Sequence, residues 1–345
     1  MKAHLRIAVL IAVAILLLAL FLRQANFGDV WAEIRDGRSD LVLLAIAVTM
    51  STYALRAFRW QYLLRALGPT HFSTAFRTTV IGFAVNFLLP ARVGEIVRPY
   101  LLARDEGLNA TSAFATIILE RLLDMVTVLV LFAVFLLLFD ARQSPVDPRW
   151  FRDIRVAGFT AGVGALLALA AVFVLAGHPD AAARIALRIE GVLPARMAHA
   201  FSRLVRMFVM GLGVVRQPSR LAMTFLLSFP LWLSIAAGIF LVTRAFHVDM
   251  PFTGAFVVMT LLVVGVAIPT PGAIGGFDYF YQVAVTAFYG VPRDRAIGAA
   301  LVLHAISFLP VTLLGIIFMT REGLSLGRMR GLAKLAGEQE QEGTQ

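Results

Sequence analysis

The sequence contains no cysteine. Disulfides, thiolate metal sites and a cysteine nucleophile are therefore excluded, and the redox compartment cannot be read from it. Charge is scarce as well: 15% of the 345 residues are charged, against 59% hydrophobic. A soluble chain of this length needs far more charge to cover its surface. No polar stretch is long enough to fold alone; the longest, His178 to Arg220, is rich in alanine and arginine. Lysine is nearly missing, so that the net charge of +10 rests almost wholly on arginine. No basic domain is offered to a nucleic acid. There is no Walker loop, no His/Glu metal spacing and no Gly-x-Ser-x-Gly. ATP-driven pumping by this chain, a metal or other cofactor, and nucleophilic hydrolysis are accordingly not expected.

What the sequence has in quantity is long apolar runs. A transmembrane helix needs about 20 mostly apolar residues. Six runs meet or approach that: Ile7–Leu22, Leu41–Phe58, Ala110–Phe139, Val156–Gly177, Leu221–Thr243 and Ala296–Thr320. The first is preceded by Lys2 and Arg6 and followed by no small-x-small cleavage site, so it reads as an uncleaved span. Two further apolar regions are broken, Phe76–Pro90 running into Ala91–Glu95, and Pro251–Tyr289 interrupted at Pro269–Gly276. A helix cannot run normally through such proline and glycine clusters. Backbone freed inside a bilayer must be buried in protein or line a wet cavity. Both regions are therefore expected to be re-entrant hairpins; ordinary short spans are the alternative.

Basic residues support that topology. With six spans, two hairpins and a cytoplasmic N-terminus, the inside segments hold 20 Lys and Arg and the outside segments 10. This follows the positive-inside rule and places both termini in the cytoplasm. The order span, broken segment, span occurs twice, over 41–139 and 221–320, and the two copies are inverted. Paired broken segments in inverted halves point to a transport site near the midplane. The predicted fold is thus all-α: a polytopic membrane bundle of about six spans plus two re-entrant hairpins. One transmembrane domain is expected over 1–326, including an amphipathic cytoplasmic connection near 178–220, with a polar tail over 327–345.

Three constellations offer chemistry. The first surrounds the earlier break: Asn86, Pro90, Arg92, Gly94, Glu95 and Arg98. Ionisable groups at membrane depth cost about 2.5–3.5 kcal/mol each on insertion scales and are usually paired and functional. Arginine suits phosphate because its planar fork gives two parallel hydrogen bonds. A loop obeying the positive-inside rule is the alternative. The second is Glu120, Arg121 and Asp124, inside an apolar run, with spacings of three and four that share a helix flank; it reads either as an intrahelical salt bridge or as a polar lining. The third is Pro271, Gly275 and Asp278 with Tyr279, where a broken helix can aim N–H groups at an anion or small residues can simply pack helices. Arg56 and Arg59, at a span end beside Trp60 and Tyr62, are explained by snorkelling and an aromatic belt, with a head-group contact as the alternative and Arg59 kept as a secondary candidate. His304, a lone intramembrane histidine near Ser307, reads as a packed residue and is likewise secondary.

Asn86–Leu102 (NFLLPARVGEIVRPYLL), Glu120–Asp124 (ERLLD), Arg56–Leu64 (RAFRWQYLL) and Thr270–Asp278 (TPGAIGGFD) together resemble the lysylphosphatidylglycerol synthase transmembrane family, also called flippase-like membrane proteins. The resemblance runs from about Leu5 to Leu326. It implies lipid handling, since in full-length aminoacyl-phosphatidylglycerol synthases a membrane domain of this type is associated with moving lipid between leaflets, while a separate cytoplasmic domain adds the amino acid. No such cytoplasmic domain is visible up to Gln345, so aminoacylation by this chain is not expected. The family often has glutamate after the glycine-rich turn, where this sequence has Asp278. The expected function is a lipid translocator of the inner (cytoplasmic) membrane, its ligands phospholipid, hopanoid, polyprenyl or glycolipid, its protein partners a second copy or a lipid-biosynthesis protein. A membrane-embedded lipid-modifying transferase and an accessory subunit of an envelope machine are the alternatives.

Overall fold

The apolar runs form helices throughout the computed structural model, which describes residues 25–89, 92–140, 147–177, 218–268 and 270–324, with isolated positions before 25 and Pro145. The expected span Ile7–Leu22, the connection near 178–220 up to residue 217, and the tail over 327–345 lie wholly or largely outside the described residues, as does Pro90. Among the described residues there are ten α-helices: α1 Phe27–Asp36, α2 Ser39–Leu64, α3 Phe72–Leu88, α4 Gly94–Glu106, α5 Ala110–Leu138, α6 Pro148–Gly177, α7 Pro218–Ala245, α8 Gly254–Ala267, α9 Gly276–Tyr289 and α10 Arg293–Arg321. No strand occurs among the described residues.

Four of these helices, α2, α5, most of α7 and α10, are long and apolar enough to cross a membrane. The other expected span, Val156–Gly177, lies in α6, a helix of 30 residues. Between the long helices the chain is divided differently. The helices α3, α4, α8 and α9 have 17, 13, 14 and 14 residues, short of the about 20 that a span requires.

Each short pair folds back on itself. In the first, His71 meets Glu106 at 3.1 Å and Arg77 meets Asp105 at 2.7 Å at the open end, while Gly82 and Gly94 touch nearer the break. A Cβ on Gly94 would overlap the Gly82 carbonyl oxygen, so no larger residue fits this crossing. In the second, Gly254 lies against Tyr289 at the open end and Gly265 against Gly276 near the break, where a Cβ on either would come within 2.6 Å of the other's carbonyl oxygen. Glycine at helix crossings lets backbones approach in membranes, where van der Waals packing replaces the hydrophobic drive. Both pairs end alike: α4 stops at Gly107 (φ 67°) and α9 at Gly290 (φ 64°), in the left-handed conformation that favours glycine, and the next long helix starts three residues later.

The two sets run in opposite directions. Helices α2 and α7 pack along their length, with Arg38 N donating to the Ala245 carbonyl at 2.9 Å, Thr49 against Gly238, and Arg59 bonded to Ser228. That order is antiparallel. The packing is also exchanged: α3 lies on α10, and α8 lies on α5. The hairpins thus enter from opposite ends and their tips meet. Arg92 Nη2 donates to the Val266 carbonyl at 2.9 Å, joining the first tip to the end of α8, and Phe87 packs edge-on against Phe308 at 4.4 Å between centroids.

Candidate functional site

The residues where the tips meet enclose a cavity of about 130 Å³. Its wall includes Asn86, Arg92, Glu95, Arg98 and Arg121 on one side and Val266, Thr270 and Ala273 on the other. Arg92 and Ala273 stand on the two breaks with φ of 53° and 57°, a left-handed conformation uncommon for residues other than glycine. Such backbone persists where surrounding contacts hold it; for Arg92 these are the Val266 carbonyl and Glu95, whose carboxylate lies 3.7 Å away. Pro99 sits inside α4 and cannot donate to the carbonyl four residues earlier, which leaves the Glu95 carbonyl at the cavity wall without its helical partner.

Behind the cavity lies a buried ion cluster. The α5 run places Glu120 about ten residues inside the helix, at about 15 Å of rise. Arg98 grips it with its fork, Nη1 to Oε1 at 3.0 Å and Nη2 to Oε2 at 3.3 Å. Arg59 bridges both acids, 2.5 Å from Asp124 Oδ1 and 3.5 Å from Glu120 Oε1, and donates to Ser228 Oγ at 2.7 Å. Arg121 reaches Glu120 at 3.1 Å and Asp124 at 3.5 Å. Trp232 Nε1 donates to Asp124 Oδ1 at 2.8 Å, and the Arg98 guanidinium lies 3.8 Å from the centre of the Trp60 ring. Arg59, Arg98, Glu120 and Asp124 are at most 4% exposed. At such depth ion pairs need close geometry and further hydrogen bonds to offset desolvation, and Ser228 and Trp232 supply them.

The snorkelling reading of Arg56 and Arg59 is therefore corrected. Both are buried, because α7 covers that face of α2 and contributes Ser228 and Trp232. The intrahelical pairing of Arg121 with Glu120 and Asp124 is present, and both acids also make short contacts to other helices, α4, α2 and α7. Gly94 serves helix packing. Helix spacing alone could not show this, since the partners come from distant segments.

The third constellation is less polar. Asp278 caps its own helix, accepting from Gly275 N at 3.1 Å, and its other oxygen lies 2.9 Å from His304 Nδ1. This pair sits among Phe277 and Phe308 and does not line the cavity; nor do Gly275 or Tyr279, while the Pro271 side chain lies outside the described residues. Tyr279 packs with the main core between the two sets of helices. The reading of His304 as a packed residue fits this contact. Unforeseen contributors are Gly82, Phe83, Ser228 and Trp232. Only Gly82 carried a sequence signal, a small residue one helix away from the Gly94 break.

Comparison with known proteins agrees with the resemblance. The family described as the lysylphosphatidylglycerol synthase TM region matches residues 6–315. Two UPF0104 membrane proteins of Methanothermobacter thermautotrophicus are similar: one is 25% identical over 330 residues, covering 90% of this chain and 93% of that protein. The other is 26% identical over 289 residues, covering 81% and 82%. Glycosyltransferase AglD of Haloferax volcanii is 26% identical over 321 residues, 85% of this chain but 50% of that protein. This chain is an integral membrane protein of the lysylphosphatidylglycerol synthase transmembrane family.

Proposed function

We propose that the protein moves a polar- or anionic-headed lipid between leaflets, the head entering the cavity between the hairpin tips while the tails stay in lipid. The observation that carries this is the meeting of two oppositely directed helical hairpins around a cavity lined by Asn86, Arg92, Glu95, Arg98 and Arg121. Broken helices meeting at a polar site inside a membrane bundle are a recurrent basis for alternating access. Arg92 and Glu95, with side chains 42% and 30% exposed, are placed to meet the arriving head group. The buried cluster behind them holds α2, α4, α5 and α7 in register and sets the positive potential. The excess of basic residues on one set of connections supports a cytoplasmic-membrane protein with both termini inside.

Head-group flipping in proteoliposomes tests this. The parent should exchange a labelled phospholipid faster than protein-free vesicles, and Arg92→Ala and Glu95→Gln, shown to be folded, should be impaired. Equal exchange by all three removes the assignment. A second reading follows from the similarity to AglD, which is named a glycosyltransferase. On that reading the chain serves or performs transfer onto a membrane lipid, with Glu95 as acid or base. Lipid mass spectrometry after deletion separates the two: a missing lipid species favours transfer, and an unchanged set with altered leaflet distribution favours translocation.

A further inference from the structure

The charge behind the cavity does not balance. Three buried guanidiniums, Arg56, Arg59 and Arg98, and the partly exposed Arg121 stand against two buried carboxylates, Glu120 and Asp124. Arg92 and Glu95, the pair at the tip, cancel. Two positive charges are left over, one within the buried set, where uncompensated charge is costly, and one on Arg121 at the cavity wall. Arg56 locates part of the excess. It is 8% exposed, its Nη1 has no hydrogen-bond partner, and no carboxylate lies within ion-pair distance among the described residues. Instead it faces aromatic rings, Phe83 at 4.9 Å and Trp232 at 5.8 Å. Cation–π contact offsets only part of the desolvation. Phe83 also lines the cavity, so one ring stands between Arg56 and whatever occupies it. The Nε atoms of Arg98 and Arg121 and the Asn86 Oδ1, all on cavity-lining residues, lack partners as well.

We propose that this cavity prefers a lipid head bearing two negative charges on phosphate, a phosphomonoester or a diphosphate diester, over a singly charged phosphodiester. The proposal rests on reading the cavity as a lipid-head site. A dianion neutralises both leftover charges, a monoanion one, and a zwitterion neither. A phosphomonoester carries about −1.5 to −2 at neutral pH, and guanidiniums match its oxygens in pairs.

The test is a binding series on the purified full chain in detergent micelles, read by tryptophan fluorescence, since Trp60 and Trp232 touch Arg98 and Arg56. The probes are phosphatidic acid, phosphatidylglycerol and phosphatidylcholine with the same acyl chains, and inorganic phosphate. Phosphatidic acid should bind at least about tenfold tighter than phosphatidylglycerol, since one added charge pair at about 4 Å is worth about 1 kcal/mol in water and more at lower dielectric. Phosphatidylcholine should bind most weakly, and inorganic phosphate should fail to displace phosphatidic acid. Arg56→Gln and Arg121→Gln should each lower the ratio to about threefold. If Arg56→Gln does not fold, Arg121→Gln, whose side chain is 37% exposed, carries the comparison. Equal affinities for the two anionic lipids, or an unchanged ratio in the folded variants, overturn the proposal; saturation by inorganic phosphate alone overturns the lipid part of it. Flipping assays on the same preparations keep the two readings apart. Preference without exchange of any lipid sinks the translocator, whereas exchange with no preference sinks only the dianion.

Discussion

Near the first break, α4 and its neighbours bring three arginines and two acids within reach of one another, with Arg56 close by, while near the second break a single carboxylate, Asp278, meets a single histidine. The skeletons are otherwise alike. Both hairpins are pinned by a glycine pair near the tip, both end on a left-handed glycine three residues before a long helix, and both lay their first helix on the last long helix of the other set. The difference teaches that backbone architecture and ligand chemistry are separable here. The repeat supplies two breaks and a cavity between them, and one repeat alone supplies its charge. The second tip contributes backbone and small side chains, including the Val266 carbonyl that receives Arg92.

The largest expected effect comes from removing an acid from the charged half. Glu120→Ala leaves Arg98 without its fork partner and Arg59 with one acid, and breaking a buried pair in this way costs about 3–5 kcal/mol. The matching change in the other half, Asp278→Ala, removes a helix cap and one contact to His304, for about 1–2 kcal/mol. Thermal unfolding in detergent should show the gap directly. Equal losses would mean that the second hairpin depends on its carboxylate as heavily as the first cluster does.

The skeleton gives a smaller and more symmetric effect. Gly94→Ala and Gly276→Ala each force backbones apart, at about 1–3 kcal/mol for overpacking, with Gly94 at the upper end because its Cβ would overlap the Gly82 carbonyl. Similar melting shifts in both variants would uphold the shared scaffold; a shift in one hairpin only would break it.

Much of this scaffold was legible in the sequence, because its signals are local. Proline and glycine at Pro269–Gly276 and near Gly94 break helices by their own backbone limits, and apolar runs of fixed length mark α2, α5, α7 and α10. The candidate site was legible as a set of residues, not as a set of pairs. Arg98 and Glu120 were both visible, yet nothing in the spacing joins residues on separate helices. Arg59 misled for a related reason. At the end of an apolar run an arginine that snorkels and one that is buried look identical until α7 is packed over it with Ser228 and Trp232. Asp278 was visible as a carboxylate after a glycine turn, but its bond back to Gly275 N, which caps that turn, could not be read from its position.

The charged half contains one group whose loss should touch transport more than stability. The Arg92 side chain is half-exposed and held by one carbonyl and one distant carboxylate, so Arg92→Ala should cost at most about 1 kcal/mol while slowing lipid exchange. A large melting shift with intact exchange would recast Arg92 as a structural tie between the tips.

The smallest effect is expected at His304. Its ring meets Asp278 at 2.9 Å and packs against Phe277 and Phe308, and neither member of the pair lines the cavity. His304→Gln keeps a hydrogen-bonding side chain of similar reach, so stability should change by about 1 kcal/mol or less. If the second hairpin is a neutral wall, lipid exchange by this variant should stay within about twofold of the parent, a barrier change below 0.5 kcal/mol. A far greater loss of exchange at unchanged melting temperature would place a transferable proton on the Asp278–His304 pair. The asymmetry would then be one of function as well as charge, with the head group held by one hairpin and its movement driven from the other.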